Sequence, residues 1–251
     1  MTSGPWLNSF EIDGDPNGYI SLDQMGRKEF RLNSTITYIG AETGLEGMLS
    51  DDALAAIRTV TPEKLPTTDL VSVPTVLRWF VGRYGVHTPA ALIHDWLIPQ
   101  PSTPEIPGMT NEYADRYWRF MLDDLGVRLI RRWLMWAATA ARTRWQRDRT
   151  GKLLLSVWLL ASLAGIAAFV FGLIKGNASV IILAALAPLV FAPLWGRQYG
   201  AGIVAAYSAP WIVPPTVFAA GGYVVYLVGE WIISGLWPSR SGSQPFRYED
   251  F

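Results

Sequence analysis

The hydrophobic pattern of this chain changes near residue 150, where short mixed segments give way to long uncharged runs. Before that point, apolar and charged residues alternate at the spacings of strands and amphipathic helices. No residue between Leu153 and Ile174 is charged, and a second uncharged run covers 178–195. Because ~20 apolar residues in a helix cross a bilayer core of ~30 Å, we predict transmembrane helices near 153–174 and 178–195.

A third apolar stretch, 216–236, is a further candidate span. The segment before it is also apolar but contains Pro210, Pro214 and Pro215, which indicates an interfacial or re-entrant segment instead of a full crossing. The sequence therefore predicts a membrane region over 150–237 with two to three spans. The tail, 238–251, is polar and is predicted to lack a fixed structure.

Residues 1–110 have the pattern of a small α+β domain. Residues 1–26 predict turns with at most one short strand, and the β-rich residue types in 28–39 predict a strand or a hairpin arm. Ser50 or Asp51 is placed to cap a short helix. The fold class expected from these patterns is a small cytoplasmic α+β domain followed by an α-helical transmembrane region.

Two further helices are predicted in the second half of this domain. Pro74 is placed to open the first. Thr88-Pro89 repeats a start signal, with the Thr88 hydroxyl as the expected cap and proline at the first helical position. A proline-rich run from Pro99 to Pro107 ends the second helix and forms an extended connection.

Segment 111–149 links the domain to the first apolar run and predicts two amphipathic helices separated at Gly126. Arg and Trp are interleaved in the second helix, as in helices that lie among lipid headgroups. An ordinary bundle helix packed on the domain is the alternative. The residues expected at the membrane interface are Arg128, Arg131, Arg132, Trp133, Trp136, Arg142, Arg144, Arg147, Arg149 and Lys152.

The basic residues just before Leu153 predict the orientation, because Lys and Arg accumulate on the cytoplasmic side of membrane helices. Met1–Phe10 lacks the basic and apolar parts of a signal peptide, so residues 1–150 are expected in the cytoplasm. Arg outnumbers Lys and Ala is abundant, which suggests a bacterial source. The predicted location is the bacterial inner membrane, and membrane lipid is an expected partner.

Candidate chemistry is limited by composition, since the chain has no Cys and two His. Thiolate sites and sites with three imidazoles are thereby excluded. Asp69, Ser72, His94 and Asp95 are the candidate catalytic residues. Ser72 lacks a G-x-S-x-G turn and is better explained as a helix cap. Adjacent His94 and Asp95 point about 100° apart on a helix, so they need a third group such as Asp69 to share an ion.

The structural alternative is that His94 and Asp69 bond each other or the backbone and hold a loop against the second helix. No metal site or cofactor is predicted. No Gly-rich phosphate loop is present either, so any work driven by ATP would have to come from a partner.

Two motifs carry a resemblance: Thr68-Asp69-Leu70-Val71-Ser72-Val73-Pro74 and Ala90-Ala91-Leu92-Ile93-His94-Asp95-Trp96-Leu97. Over about residues 30–125 the chain resembles a phage and bacterial family of unknown function, and is DUF1353-like. The resemblance implies Asp69, Ser72, His94 and Asp95 as signature positions and supplies no activity. Where the family usually has Tyr after the second motif, this chain has Ile98.

The function expected from these features is that of an accessory or regulatory subunit in a larger membrane complex, with a lipid or cell-envelope transporter as the class of host. Other membrane subunits are the expected partners. Nucleic acid is not, because the basic run leads straight into an apolar span, where lipid phosphates are nearer. The alternative is a membrane-tethered hydrolase of a lipid or phosphate ester that uses Asp69, His94 and Asp95. Whether the protein is an enzyme stays open, and a non-enzymatic role is favoured.

Overall fold

A computed structural model of the protein describes residues 9–26, 29–70, 81–82, 84–98 and 106–236. A small α+β region comes first and a long helical region follows it. The helix predicted after Pro74, together with Ser72, most of the proline-rich run and the polar tail, lies outside the described residues.

The strands of the α+β region form two antiparallel sheets of three strands each. One sheet has the order β1-β4-β5 and the other β2-β3-β6. Side chains alternate between the two faces of each strand, which buries Phe10 and Ile12 of β1 against Ile36 and Tyr38 of β4. The strand bounds are Phe10–Ile12 (β1), Leu22–Gln24 (β2), Phe30–Leu32 (β3), Ile36–Tyr38 (β4), Thr59–Val60 (β5) and Thr67–Thr68 (β6).

The strand predictions for this region are correct in part. The β-rich run 28–39 does form strands, but it is broken at 33–35 into β3 and β4, which belong to different sheets. Segment 1–26 contains two strands, β1 and β2, where turns and at most one strand were predicted. The turn-forming residues after Ile12 make a tight loop, in which Asp13 has φ 54°, and β1 stands just before them.

Two helices, α1 (Asp51–Ala56) and α2 (Thr88–Leu97), pack on these sheets. Ser50 caps α1, accepting a hydrogen bond from the Ala53 amide at 3.3 Å, as predicted. The cap predicted for α2 is wrong. Thr88 is the first helical residue, and its hydroxyl accepts from the Gly85 amide at 3.0 Å, so it stabilises the preceding turn instead of the free amides of the helix.

Helices α3 (Asn111–Asp124) and α4 (Leu129–Arg147) join the two regions. They are separated at Gly126, whose φ of +67° suits a residue without a Cβ, as predicted. One face of α4 is packed inside the bundle, where Trp136 is 7% exposed, while Leu129 and Ile130 at its start are exposed. On this face, α4 is therefore packed as a bundle helix, which was the alternative to a helix among lipid headgroups.

Helices α5 (Arg149–Lys175) and α6 (Ala178–Phe191) form an antiparallel hairpin. Its turn contains Gly176 with φ +63°, and Asn177 caps α6 through the Val180 amide at 3.2 Å. Two helical stretches, Arg149–Lys175 and Ala178–Ser234, are long and apolar enough to cross a membrane.

A 3-10 helix, Ala192–Gln198, leads into α7 (Tyr199–Leu236). Residues 199–215, for which an interfacial or re-entrant segment was predicted, are helical and continue in α7 into the third candidate span. Proline is tolerated inside apolar helices. In the same stretch of α7, the hydroxyls of Ser208 and Thr216 donate to the carbonyls of Val204 and Ile212, each at 2.6 Å.

Candidate functional site

The centre of the candidate site is Asp115, a fully buried carboxylate on α3. His94 Nε2 lies 2.9 Å from its Oδ1, and the Thr143 hydroxyl donates to the same oxygen at 3.3 Å. Gln198 Nε2 donates to Oδ2 at 2.7 Å. A buried carboxylate is stable only when hydrogen-bonded or paired in this way. We call Asp115, His94, Thr143 and Gln198 the Asp115 cluster.

The Asp115 cluster joins four elements: α2 contributes His94, α3 Asp115, α4 Thr143 and the 3-10 helix Gln198. The first two elements belong to the α+β region and its connection, and the 3-10 helix connects the two apolar stretches. The Asp115 carboxylate thus bonds a side chain, that of Gln198, which is 83 positions away from it in the sequence. In a neutral His94 that donates from Nε2, Nδ1 is left as an acceptor.

Arg144 makes a second polar link between α4 and the 3-10 helix. Its two terminal nitrogens donate to the carbonyls of Leu194 and Trp195, at 2.6 and 3.1 Å. These carbonyls precede Gly196, where the chain kinks with φ +58°. A guanidinium with several fixed donors can satisfy carbonyls that such a kink removes from helical bonding.

Asp95 has a different partner from its neighbour in the sequence. The Thr68 hydroxyl donates to Asp95 Oδ2 at 2.8 Å, which joins α2 to β6. Burial raises the pKa of Asp95 to about 6; the Thr68 bond lowers it, and the nearby charge of Asp69 raises it further. Asp95 is therefore a carboxyl group that is partly protonated near neutral pH.

The structure divides the predicted catalytic residues between two places. Asp69 and Asp95 lie near each other, while His94 is turned to Asp115, as expected for adjacent residues of a helix. Ser72 lies outside the described residues. Among the residues that are described, no group of three or more His, Asp or Glu side chains could hold a metal ion.

The sequence analysis missed Asp115, Thr143 and Gln198. A signal for the first was present: Asp115 stands three and seven positions before Trp118 and Leu122, which puts it on the apolar face of α3. An acid at such a position needs a buried partner. Thr143 and Gln198 carried no comparable signal, because each lies on a different helix.

A cavity of about 480 Å³ adjoins the Asp115 cluster. Its wall includes His94 and Asp95 of α2, Trp118 of α3, and residues of α4, α5 and α7, most of them apolar. Small-molecule sites are commonly apolar cavities of ~300–1,000 Å³ with a few polar groups. A second, polar pocket lies nearby, between the start of α3 and residues Arg144 and Arg197.

The predicted interface residues fall into two groups. Five are exposed: Arg128, Arg131, Arg142, Arg149 and Lys152.

The others that can be placed have partners within the protein. Arg132 pairs with Asp123, and the Arg119 guanidinium lies over the rings of Trp133 and Trp136, at 4.4 and 4.7 Å. Trp136 is buried, so it differs from the expectation that it faces the membrane surface. The side chain of Arg147 is outside the described part of the structure.

Comparison with known proteins gives one finding. Residues 51–139 match the model of a family described as "Protein of unknown function (DUF1353)". The match runs from α1 into α4, so it contains His94 and Asp115 and ends before the apolar helices. It supports the DUF1353-like resemblance for this part of the chain. Neither the curated proteins nor the solved structures contain a match to the chain.

Proposed function

We propose that this protein is an accessory or regulatory subunit of a larger membrane complex, anchored in the bacterial inner membrane with residues 1–150 in the cytoplasm. The observation that carries the proposal is the exposure of the apolar side chains of α7. No residue from Tyr207 to Ser234 is buried, although Glu230 is the only charged residue in this stretch of the helix. This long apolar surface needs lipid, a partner, or both.

The outer surface of the apolar helices supports anchoring in a membrane. Leu183 on α6 is 69% exposed and Phe218 on α7 is 86% exposed. A contiguous apolar surface of this kind is rare in soluble monomers. Arg149 and Lys152 lie at the start of α5, and Arg197 follows α6, so the hairpin places all three at one end. That distribution agrees with a cytoplasmic location for this end.

The glycines of α7 support a partner helix. An added Cβ at Gly221, Gly222 or Gly229 would meet no other atom within 4 Å. Gly222 and Gly229 are seven residues apart and so share one face of the helix. In lipid, small residues allow helix backbones to approach closely. A transmembrane helix of another subunit is the partner that this face suits.

The Asp115 cluster supports a regulatory role. Because Asp115 and Arg144 bond across the junction, the α+β region cannot move freely relative to the 3-10 helix. A change at the α+β region would therefore reach the connection between α6 and α7. A lipid or cell-envelope transporter is the class of complex we propose as host.

Purification of the tagged protein in a mild detergent tests the proposal. We expect a partner at fixed stoichiometry, identified by mass spectrometry, that is lost with Gly222→Leu and Gly229→Leu. Ala167→Leu is the matched control, since Ala167 is exposed on α5, away from α7. A protein that purifies alone, or whose partner binds equally well to the glycine variants, would contradict the proposal.

A membrane-tethered hydrolase is the second candidate. The observation that favours it is that His94 lines the cavity and is oriented by a carboxylate, as a general base often is. It predicts that His94→Ala abolishes turnover of a lipid or phosphate ester while the melting temperature is unchanged. The Asp115 bond favours the opposite result, a loss of stability, which is why we place this function second.

A further inference from the structure

The 480 Å³ cavity is open towards the outer surface of the apolar helices. Leu159 of α5 and Val213 of α7 line it, and they are also 52% and 50% exposed. The apolar wall of the cavity is thus continuous with the surface that the proposed function places in lipid. A chain of methylene groups could pass from one to the other without leaving apolar surroundings.

The cavity has a cation beside this opening. Arg142 of α4 lines the cavity and is exposed. Of the acids, Asp95 also lines the cavity and lies close enough for its pKa to respond to Arg142. A guanidinium in this position can bind the phosphate of a lipid headgroup.

Tryptophan is frequent in the wall of the cavity. Trp118, Trp158 and Trp195 belong to it, and Trp145, which also lines it, is 49% exposed. Indole rings bring a large apolar area into contact with a neighbouring chain of methylene groups.

We infer that this cavity binds one acyl chain of an anionic phospholipid, with the lipid phosphate at Arg142. The inference rests on the proposed membrane anchoring, because the surrounding bilayer supplies the lipid. It adds to that proposal a site that selects lipids by headgroup charge. The apolar wall, with its tryptophan rings, holds the chain, and Arg142 recognises the phosphate.

Tryptophan fluorescence in nanodiscs tests the inference. The full-length protein is placed in nanodiscs of unlabelled phosphatidylcholine. The nanodiscs also contain a small fraction of a lipid with brominated chains, which is either phosphatidylglycerol or phosphatidylcholine. Bromine quenches tryptophan on contact, and general contact with the bilayer is the same for both lipids. We expect saturable extra quenching by the anionic lipid, from the tryptophans of the cavity.

Two pairs of variants assign that signal to the cavity. Ala138→Phe fills the cavity from α4 and should remove the extra quenching, whereas Ala219→Phe, on an exposed part of α7, should retain it. Arg142→Gln should raise the half-saturating fraction of the anionic lipid roughly tenfold, the effect of ~1.4 kcal/mol. Arg149→Gln, at an exposed position outside the cavity, should leave it unchanged.

Ala209→Phe fills the cavity from α7 and replaces Ala138→Phe if that variant does not fold, as judged by near-UV circular dichroism. Equal quenching by the two lipids would overturn the inference, as would extra quenching that survives in both filled variants. If the protein incorporates into nanodiscs and shows one of these two results, only the lipid site is overturned, and the proposed function is unaffected. Protein that does not incorporate would overturn the membrane anchoring and the inference together.

Discussion

The α+β region and the apolar helices differ in how many of their large side chains are buried. In the α+β region, large side chains such as Phe10, Tyr38 and Trp118 are fully buried. In the apolar helices, the buried positions include small residues such as Ala201 and Ala206 beside a few tryptophans. Most large side chains there are exposed or half-buried, and Trp231 is 73% exposed.

The difference indicates which force holds each region together. Water drives large apolar side chains into a core, so the α+β region is stabilised by burial. Lipid exerts no such force between helices, and close packing of small residues with specific polar bonds replaces it. In the proposed membrane-anchored protein, the junction has to work in both surroundings. It combines apolar packing of α4 against the apolar helices with hydrogen bonds at Asp115 and Arg144.

The largest expected effect comes from Asp115→Ala. Removal of the carboxylate leaves His94, Thr143 and Gln198 buried without their common acceptor, and each buried donor left unsatisfied costs ~1–3 kcal/mol. Thermal unfolding in detergent, followed by near-UV circular dichroism, measures this loss. We also expect easier proteolysis of the junction.

Asp123→Ala is the matched control for this variant. Asp123 lies on the same helix, but its side chain is 63% exposed and pairs with Arg132 at the surface. Exposed pairs contribute ~0–1 kcal/mol. If Asp115→Ala were no more destabilising than Asp123→Ala, the two regions would not be held together by this carboxylate.

Asp95 should make the stability of the α+β region depend on pH. Its pKa is raised from 3.8 to about 6 in the folded protein, so the folded state binds the proton more tightly. The contribution of Asp95 to stability is therefore greatest below about pH 4 and falls as pH rises through 6, by at most roughly 3 kcal/mol. Unfolding measured between pH 4 and 8 should show this fall.

Asp95→Asn removes the titrating group and keeps an oxygen that can accept from Thr68. We expect the fall in stability between pH 4 and 8 to become smaller, and stability at pH 8 to rise above that of the unmodified protein. Asp23→Asn, an exposed change in β2, is the control and should leave the pH dependence as it is. An unchanged slope in Asp95→Asn would show that other groups cause it.

A smaller effect is expected inside the helical hairpin. A Cβ at Gly172 would lie 2.9 Å from Ile181 Cγ1 and 3.1 Å from its amide nitrogen, so Gly172→Leu forces α5 and α6 apart. Overpacking of this kind costs ~1–3 kcal/mol. Gly221→Leu, where a Cβ meets nothing within 4 Å, should leave the isolated protein unaffected. Unfolding in sodium dodecyl sulfate titrations compares the two variants.

Much of the architecture could be predicted because its signals are local. The apolar runs predicted α5 and α6, and Gly126 marked the end of a helix. The Ser50 cap is also local, since it acts three residues along the chain. Each of these features is determined by a few residues that are neighbours in the sequence.

The candidate site could be predicted much less well, because it depends on contacts between distant residues. His94 was identified as a key residue, but its partner Asp115 comes 21 positions later in the sequence, on another helix. The separation of β3 and β4 into two sheets likewise depends on β1 and β6. The hydrophobic pattern of a helix or strand predicts which of its faces is buried. It does not identify the residues that pack against that face.

The smallest expected effect tests whether the two regions unfold as separate units. Ser50→Ala removes the cap of α1 and should cost the α+β region ~1 kcal/mol, while Ser50→Thr restores most of it. Ser50 has no part in the Asp115 cluster, so the resistance of the α5–α6 hairpin to proteolysis should not change. Asp115→Ala should weaken both. If Ser50→Ala also lowered the protection of the hairpin, the regions would form one cooperative unit, and burial in the α+β region would stabilise the apolar helices as well.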